Sequence, residues 1–213
     1  LLSERSPYPA FRIPTVCIPA SIDNNLPGSE LSIGTDTALN VIVEAMDKIK
    51  ESGIASRRCF VVETMGRDCG YLALMSGIAA GAERIYTNED GISLDDLAND
   101  VHWLRESFAH GRRLFLAVRN ENASHNYTTD FIARLLEEES HGMYDVRQVV
   151  LGHMQQGGSP SPFDRLLANR LGYRALNLID DELAAHQDGS WFIGVNESGM
   201  RPCSMDTMPS LID

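Results

Sequence analysis

RCFVVETMGRDCGYLALMSGIAAGA, residues 58–82, is the segment on which the fold turns. It opens with a short apolar run, Arg58 to Thr64, of the composition of a buried strand. Met65 to Gly70 follows as a turn flanked by glycines, and from Tyr71 to about Ala82 small and apolar residues without Pro read as a helix. A strand that feeds directly into a helix cannot pair with its successor as a hairpin, so the next strand of its sheet runs parallel and is reached by a crossover.

The same unit recurs on both sides. Thr15 to Ile18 reads as a strand closed by Pro19. Ala38, Val41, Ile42, Ala45, Met46 and Ile49 then recur at helical spacing between Thr35 and Ser52, with Gly53 as the stop. Downstream, Ser93 with Asp96 forms a capping box in which Asp replaces Glu or Gln, and Leu94, Leu97, Val101, Leu104 and Phe108 carry the helix on. Leu114 to Val118 is a strand, Thr129 to Glu138 a helix and Val149 to Leu151 a strand. Pro162 to Ile179 is a long helix with Pro and Asp in its first turn, and Trp191 to Val195 is a further strand. The expected class is therefore α/β, with layered sheets of mainly parallel strands and helices on both faces.

In such sheets ligands gather at the loops beyond the carboxyl ends of the strands. After the first strand stands PASIDNNLPGSELSIGTDTA, where Pro19, Pro27 and Gly28 keep Ser21, Ile22, Asp23, Asn24 and Asn25 off any helix. After the second stands ETMGRDCG with Arg67, after the third VRNEN with Glu121, and after the fourth GHMQQGGSPSPFDR with His153, Gln155 and Gln156. Each segment alone is compatible with a polar turn that serves only its own backbone. Four of them at four strand ends point to a site.

At 213 residues, 43% hydrophobic and 23% charged, the chain can bury a core. No stretch approaches the roughly 20 apolar residues of a membrane span, and a basic start followed by an apolar signal core is missing, so a cytoplasmic protein without a membrane partner is expected. The net charge of −12 disfavours a nucleic-acid surface, which needs spread Lys and Arg. A small anionic ligand would instead require locally concentrated arginines. Cys17, Cys59, Cys69 and Cys203 lack the spacing of a metal site and read as buried or incidental thiols, and no metal-ligating residue is assigned.

LGHMQQGGSPSPFDR (151–165), SIDNN (21–25), ETMGR (63–67) and NYTTDF (126–131) agree in order and spacing with one pattern. Through them the chain, from about Pro14 to Asn177, resembles the phosphofructokinase family. The resemblance implies phosphoryl transfer from ATP, with Mg2+, to the 1-hydroxyl of fructose 6-phosphate, giving fructose 1,6-bisphosphate in glycolysis. By the same match Asp23 is the general base and Arg67 contacts the transferring phosphoryl group. Ser21, Ile22, Asn25, Met65, Gly66, Glu121, His153 and Gln156 line the sugar-phosphate site. Arg58 and Arg147 match arginines that reach the 6-phosphate of a neighbouring subunit, which implies a homo-oligomer, a tetramer. Arg112 and Arg113 fall near a segment similar to the family's effector-phosphate region, although a solvated strand start accounts for them equally well.

Two positions depart from the family pattern. Asn25 stands where a second Asp is usual, which weakens the hold on Mg2+ because hard cations prefer charged oxygen. Gln156 stands where Arg is usual, removing a charge-assisted phosphate contact. The wording also resembles the C-terminal half of duplicated eukaryotic enzymes, in which the equivalent site binds a regulatory fructose bisphosphate, yet Asp23 is the base those halves generally lack. A regulatory half and a pyrophosphate-dependent enzyme are the alternatives, with an interaction domain of acidic surface as a third. The resemblance implies residues 1–34 as the end of a nucleotide-side domain with the catalytic loop. Residues 35–154 would be a sugar-phosphate domain and 155–213 a return segment. The Gly-rich phosphate loop and acids that hold Mg2+ are expected outside this chain, which then reads as part of a longer protein, inactive alone.

Overall fold

The computed structural model describes residues 13–53 and 56–211, so most of the lead-in before Pro14 lies outside the described residues. In chain order the elements are β1 (Thr15–Cys17), α1 (Thr35–Gly53), β2 (Arg58–Thr64), α2 (Tyr71–Ala80), β3 (Arg84–Tyr86), α3 (Leu94–Ala109), β4 (Leu114–Asn120), α4 (Thr129–Glu138), β5 (Asp145–Val150), α5 (Pro162–Ala184), β6 (Ser190–Asn196) and β7 (Gly199–Ser204). Short 3-10 turns cover Gly152–Gln156 and Met205–Leu211. The chain divides into two units, one of Thr37–Ser159 and one of the residues up to Asp36 with those from Pro160 onward. The divisions expected from the sequence stood at 34/35 and 154/155.

The larger unit is built on a parallel sheet in the order β3-β4-β2-β5. Cys59 and Val61 of β2 share a face with Phe115 and Ala117 of β4 and Val146 of β5, because register partners in a parallel sheet point the same way. That face is buried under Leu97, Leu104 and Phe108 of α3 and Ile132 and Leu136 of α4. Each such side chain, fully buried, contributes about 1.5–3 kcal/mol. The opposite face carries Phe60, Val62, Leu116 and Val118, all buried. Gly77 lets α2 lie directly on it, since a Cβ there would come within 2.7 Å of Ile85. At the end of α1, a Cβ on Gly53 would come within 2.6 Å of Phe60. Helices thus cover both faces, as the apolar runs of β2 and β4 require.

The smaller unit holds the sheet β1-β6-β7, with β1 and β6 parallel and β6 and β7 antiparallel. Leu167, Leu171 and Ala175 of α5 pack over Ile193 with Val16 and Ile18 beside them. Among the described residues no helix is long and apolar enough to cross a membrane.

Most elements fall where the sequence predicts, and the capping box at Ser93 is formed in both directions. The differences have physical causes. β3 is only three residues long and begins on exposed Arg84, too short for any periodic signal. β5 starts at Asp145 rather than Val149 because it is an edge strand whose polar half faces solvent. β7 was not expected, since GMRPCS contains Pro202; as the outermost strand of its sheet it tolerates a residue that cannot donate. α5 runs past Ile179 to Ala184, where the Glu182 carboxylate accepts the Gly189 N–H at 2.9 Å.

Candidate functional site

All strands of the larger unit run parallel, so the turns after β2, β4 and β5 leave from one edge of the sheet. The three turns are tied together by hydrogen bonds. Glu121 donates its N–H to Thr64 O at 2.9 Å, and its carboxylate accepts the Arg67 N–H at 2.9 Å. Asn120, buried at the end of β4, donates to Cys69 O at 3.2 Å and to Met65 O at 3.5 Å. From the turn after β5, Gln155 is 1% exposed and accepts the Met65 N–H at 3.2 Å while donating to Gly152 O at 2.9 Å. Met65, Gly66, Arg67 and Glu121 are therefore brought together as expected positions of one constellation. His153 and Gln156 sit exposed in the same 3-10 turn as Gln155.

The turn after β2 is conformationally demanding. Gly66 has φ 137° and Arg67 φ 48°, both at positive φ, outside the negative-φ regions that side chains favour. A Cβ on Gly66 would fall 2.4 Å from Cys69 O and 2.7 Å from Asn120 Nδ2. Gly66→Ala is accordingly expected to cost about 1–3 kcal/mol through overpacking against backbone that cannot retreat, with backbone strain added. Denaturant unfolding would measure this loss, and an unchanged midpoint would mean that the turn is not held as described.

Arg119 anchors the turn after β4 and was not among the residues singled out from the sequence. Its side chain is 2% exposed. Its guanidinium donates to Glu63 at 2.9 Å, Glu121 O at 3.1 Å, Thr129 Oγ1 at 3.4 Å, Ser124 O at 2.6 Å and Tyr127 O at 3.2 Å. Burial pulls this guanidinium below its ordinary value, and Glu63 followed by Glu121 opposes that pull. The sequence did carry a signal, a lone charge at the end of the apolar strand LFLAVRN.

In the smaller unit the loop after β1 is braced by its own polar residues. Asn24, at φ 57°, donates to Glu30 O at 2.8 Å and accepts the Ser32 N–H at 2.9 Å. Ser21 accepts the Asp23 N–H on its hydroxyl at 3.2 Å, and its carbonyl accepts from Thr35 Oγ1 at 2.9 Å. Asn24 thus serves the turn, while Ile22 and Asp23 are half-buried and Asn25 is exposed.

The remaining arginines lie elsewhere in the larger unit. Arg58 stands at the amino end of β2, the far end of that strand from Met65, and donates to Ser52 O at 3.3 Å. Arg147 is exposed on edge strand β5, donating to Val146 O at 2.8 Å. Arg112 is ion-paired with Glu83 and lies over the Trp103 ring at 5.1 Å, whereas Arg113 lines a cavity of about 410 Å³ with Arg57, Phe108 and Gly111. No group of three or more His, Cys, Asp or Glu suited to a metal ion occurs among the described residues.

The family model for phosphofructokinase matches residues 2–179. The platelet-type ATP-dependent 6-phosphofructokinase of Rattus norvegicus is 47% identical over 195 residues, covering 91% of this chain and 25% of that protein. The muscle-type ATP-dependent 6-phosphofructokinase of Homo sapiens is 44% identical over 201 residues, covering 93% and 26%. Among solved structures, phosphofructokinase from Saccharomyces cerevisiae matches with a TM-score of 0.88 and 39% identity, over 96% of this chain and 28% of that one. The chain spans about a quarter of the length of the curated relatives it matches. A family match over most of the sequence, relatives at this identity and a shared fold lead to one conclusion: the chain belongs to the phosphofructokinase family.

Proposed function

We propose that the protein carrying this chain transfers a phosphoryl group from ATP to the 1-hydroxyl of fructose 6-phosphate, yielding fructose 1,6-bisphosphate. The observation that carries the reading is the convergence of Met65, Arg67 and Glu121 at the carboxyl edge of the parallel sheet, held by Gln155 and Asn120. ATP as donor is supported by relatives named as ATP-dependent enzymes. Asp23 accepts the hydroxyl proton as the sugar oxygen bonds to phosphorus and the bond to the leaving ADP breaks. Arg67 supplies fixed positive charge to the phosphoryl oxygens in the transition state. Ser21, Ile22, Asn25, Met65, Gly66, Glu121, His153 and Gln156 bind the sugar phosphate, with Glu121 accepting from sugar hydroxyls.

Arg58 and Arg147 serve the 6-phosphate of a second copy, and this asks for a homo-oligomer, a tetramer, in the cytoplasm. Their positions away from the edge that bears Arg67 and Glu121 support that assignment. Of the two effector candidates, Arg113 rather than Arg112 takes the anion, because Arg112 already has Glu83 as its partner. The described residues do not fit a resident Mg2+: Asn25 is neutral and exposed, and no cluster of three or more His, Cys, Asp or Glu suited to a metal ion occurs among them.

Asn25 and Gln156 favour a second reading, a regulatory half that binds a fructose bisphosphate. Calorimetric titration with fructose 6-phosphate and with fructose 2,6-bisphosphate separates the two. Preference for the monophosphate is expected; preference for the bisphosphate, unchanged by Asp23→Ser, would overturn the catalytic reading.

A further inference from the structure

Three of the motif segments have residues that touch no substrate in the proposed reaction: Glu63 of ETMGR, Arg119 of VRNEN, and Tyr127 and Thr129 of NYTTDF. They meet at one point. The Arg119 guanidinium donates to the Glu63 carboxylate, to the Thr129 hydroxyl and to the carbonyls of Glu121, Ser124 and Tyr127. Thr129 also donates to Glu63, closing a triangle of three side chains. This hub joins the end of β2, the whole turn after β4 and the first residue of α4.

The turn so held presents the Glu121 carboxylate to the Arg67 N–H at 2.9 Å. Glu121 is fixed from two sides, through its N–H to Thr64 O at 2.9 Å and through its carbonyl to Arg119 at 3.1 Å. Arg67 in turn occupies φ 48°, a conformation that persists only where surrounding contacts hold it. A guanidinium is suited to such a hub: planar and pre-organised, it satisfies several carbonyls and one carboxylate at once, which a Lys ammonium on its flexible stem cannot do.

We infer that Arg119 is a positioning residue for the site, acting through Glu121 to hold the Arg67 turn in its working geometry. The inference rests on the proposed phosphoryl transfer for its kinetic consequence, but not for its structural one. Misplacement of a substrate-positioning group by about 1 Å can cost on the order of a hundredfold in rate.

The test uses the full-length protein with Arg119→Lys and, as a milder lesion, Thr129→Val. Hydrogen exchange read by mass spectrometry should show faster exchange over residues 64–70 and 120–128 in Arg119→Lys, with α3 unchanged, and a smaller change of the same kind in Thr129→Val. In kinetics, Arg119→Lys should lower kcat/KM for fructose 6-phosphate by about a hundredfold. That loss should largely vanish when measured in a Glu121→Ala background, which removes the acceptor of the Arg67 N–H, because the two residues act in series. A role in stability alone would instead lower protection in α3 as well and add fully to Glu121→Ala. Unchanged exchange over 64–70 overturns the positioning role whether or not the wild type turns over. Absent wild-type turnover with changed exchange overturns the proposed reaction and leaves the positioning role standing.

Discussion

Replacing Asp23 by Asn in the full-length protein is expected to lower kcat by about 10²–10⁴-fold, with KM for fructose 6-phosphate moving much less. Asn has nearly the shape of Asp and keeps one acceptor oxygen, so the hydroxyl can still dock. It cannot take the proton. The contacts of Asn24 to Glu30 O and the Ser32 N–H, and that of Ser21 to the residue 23 N–H, do not use the Asp23 carboxylate and should persist. Steady-state kinetics checks both parameters. A variant with full turnover would remove Asp23 from the chemistry and leave the loop after β1 to binding.

The fold was legible wherever a segment is long and its burial one-sided. α1 and α3 carry apolar residues at helical spacing over many turns, and both lie within a residue or two of their expected bounds. Strands buried on both faces were equally plain, as β2 is. What escaped reading depends on neighbours distant in sequence. β3, β7 and the first half of β5 are edge strands, and an exposed edge places no apolar demand on its residues.

Arg119 shows how the same limit applies to the site. A charge after LFLAV argues that the strand stops at Val118, yet β4 continues to Asn120 because Glu63 and Thr129 come from other segments to meet the guanidinium. Arg67 and Glu121 stand out in the sequence as candidates because they follow strands, where chemistry gathers in a parallel sheet, and the structure joins their two turns by a hydrogen bond. Gln155 and Gln156 are adjacent and chemically identical, so only the 3-10 turn decides that the first points inward to Met65 and the second outward.

Arg67→Ala is expected to reduce kcat by about 10²–10³-fold, the cost of removing one preorganised charge or donor from a developing oxyanion. Ala keeps the N–H that Glu121 accepts, so the loss reports the guanidinium and not the brace. Lys should restore only part of the rate, since a mobile point charge cannot reproduce a planar fork aimed at phosphate oxygens. Arg67→Gly separates backbone from side chain. At φ 48° glycine is relieved of a penalty that every other residue bears, so Arg67→Gly should be as slow as Arg67→Ala yet more stable by about 1 kcal/mol. Thermal unfolding measured beside turnover reads the two quantities separately. If Arg67→Ala kept its rate within tenfold, the transferring group would be held by another cation; if glycine gave no gain over alanine, the turn would be unstrained. Should both expectations hold, Arg67 occupies a backbone conformation that costs stability and is retained for where it puts the guanidinium.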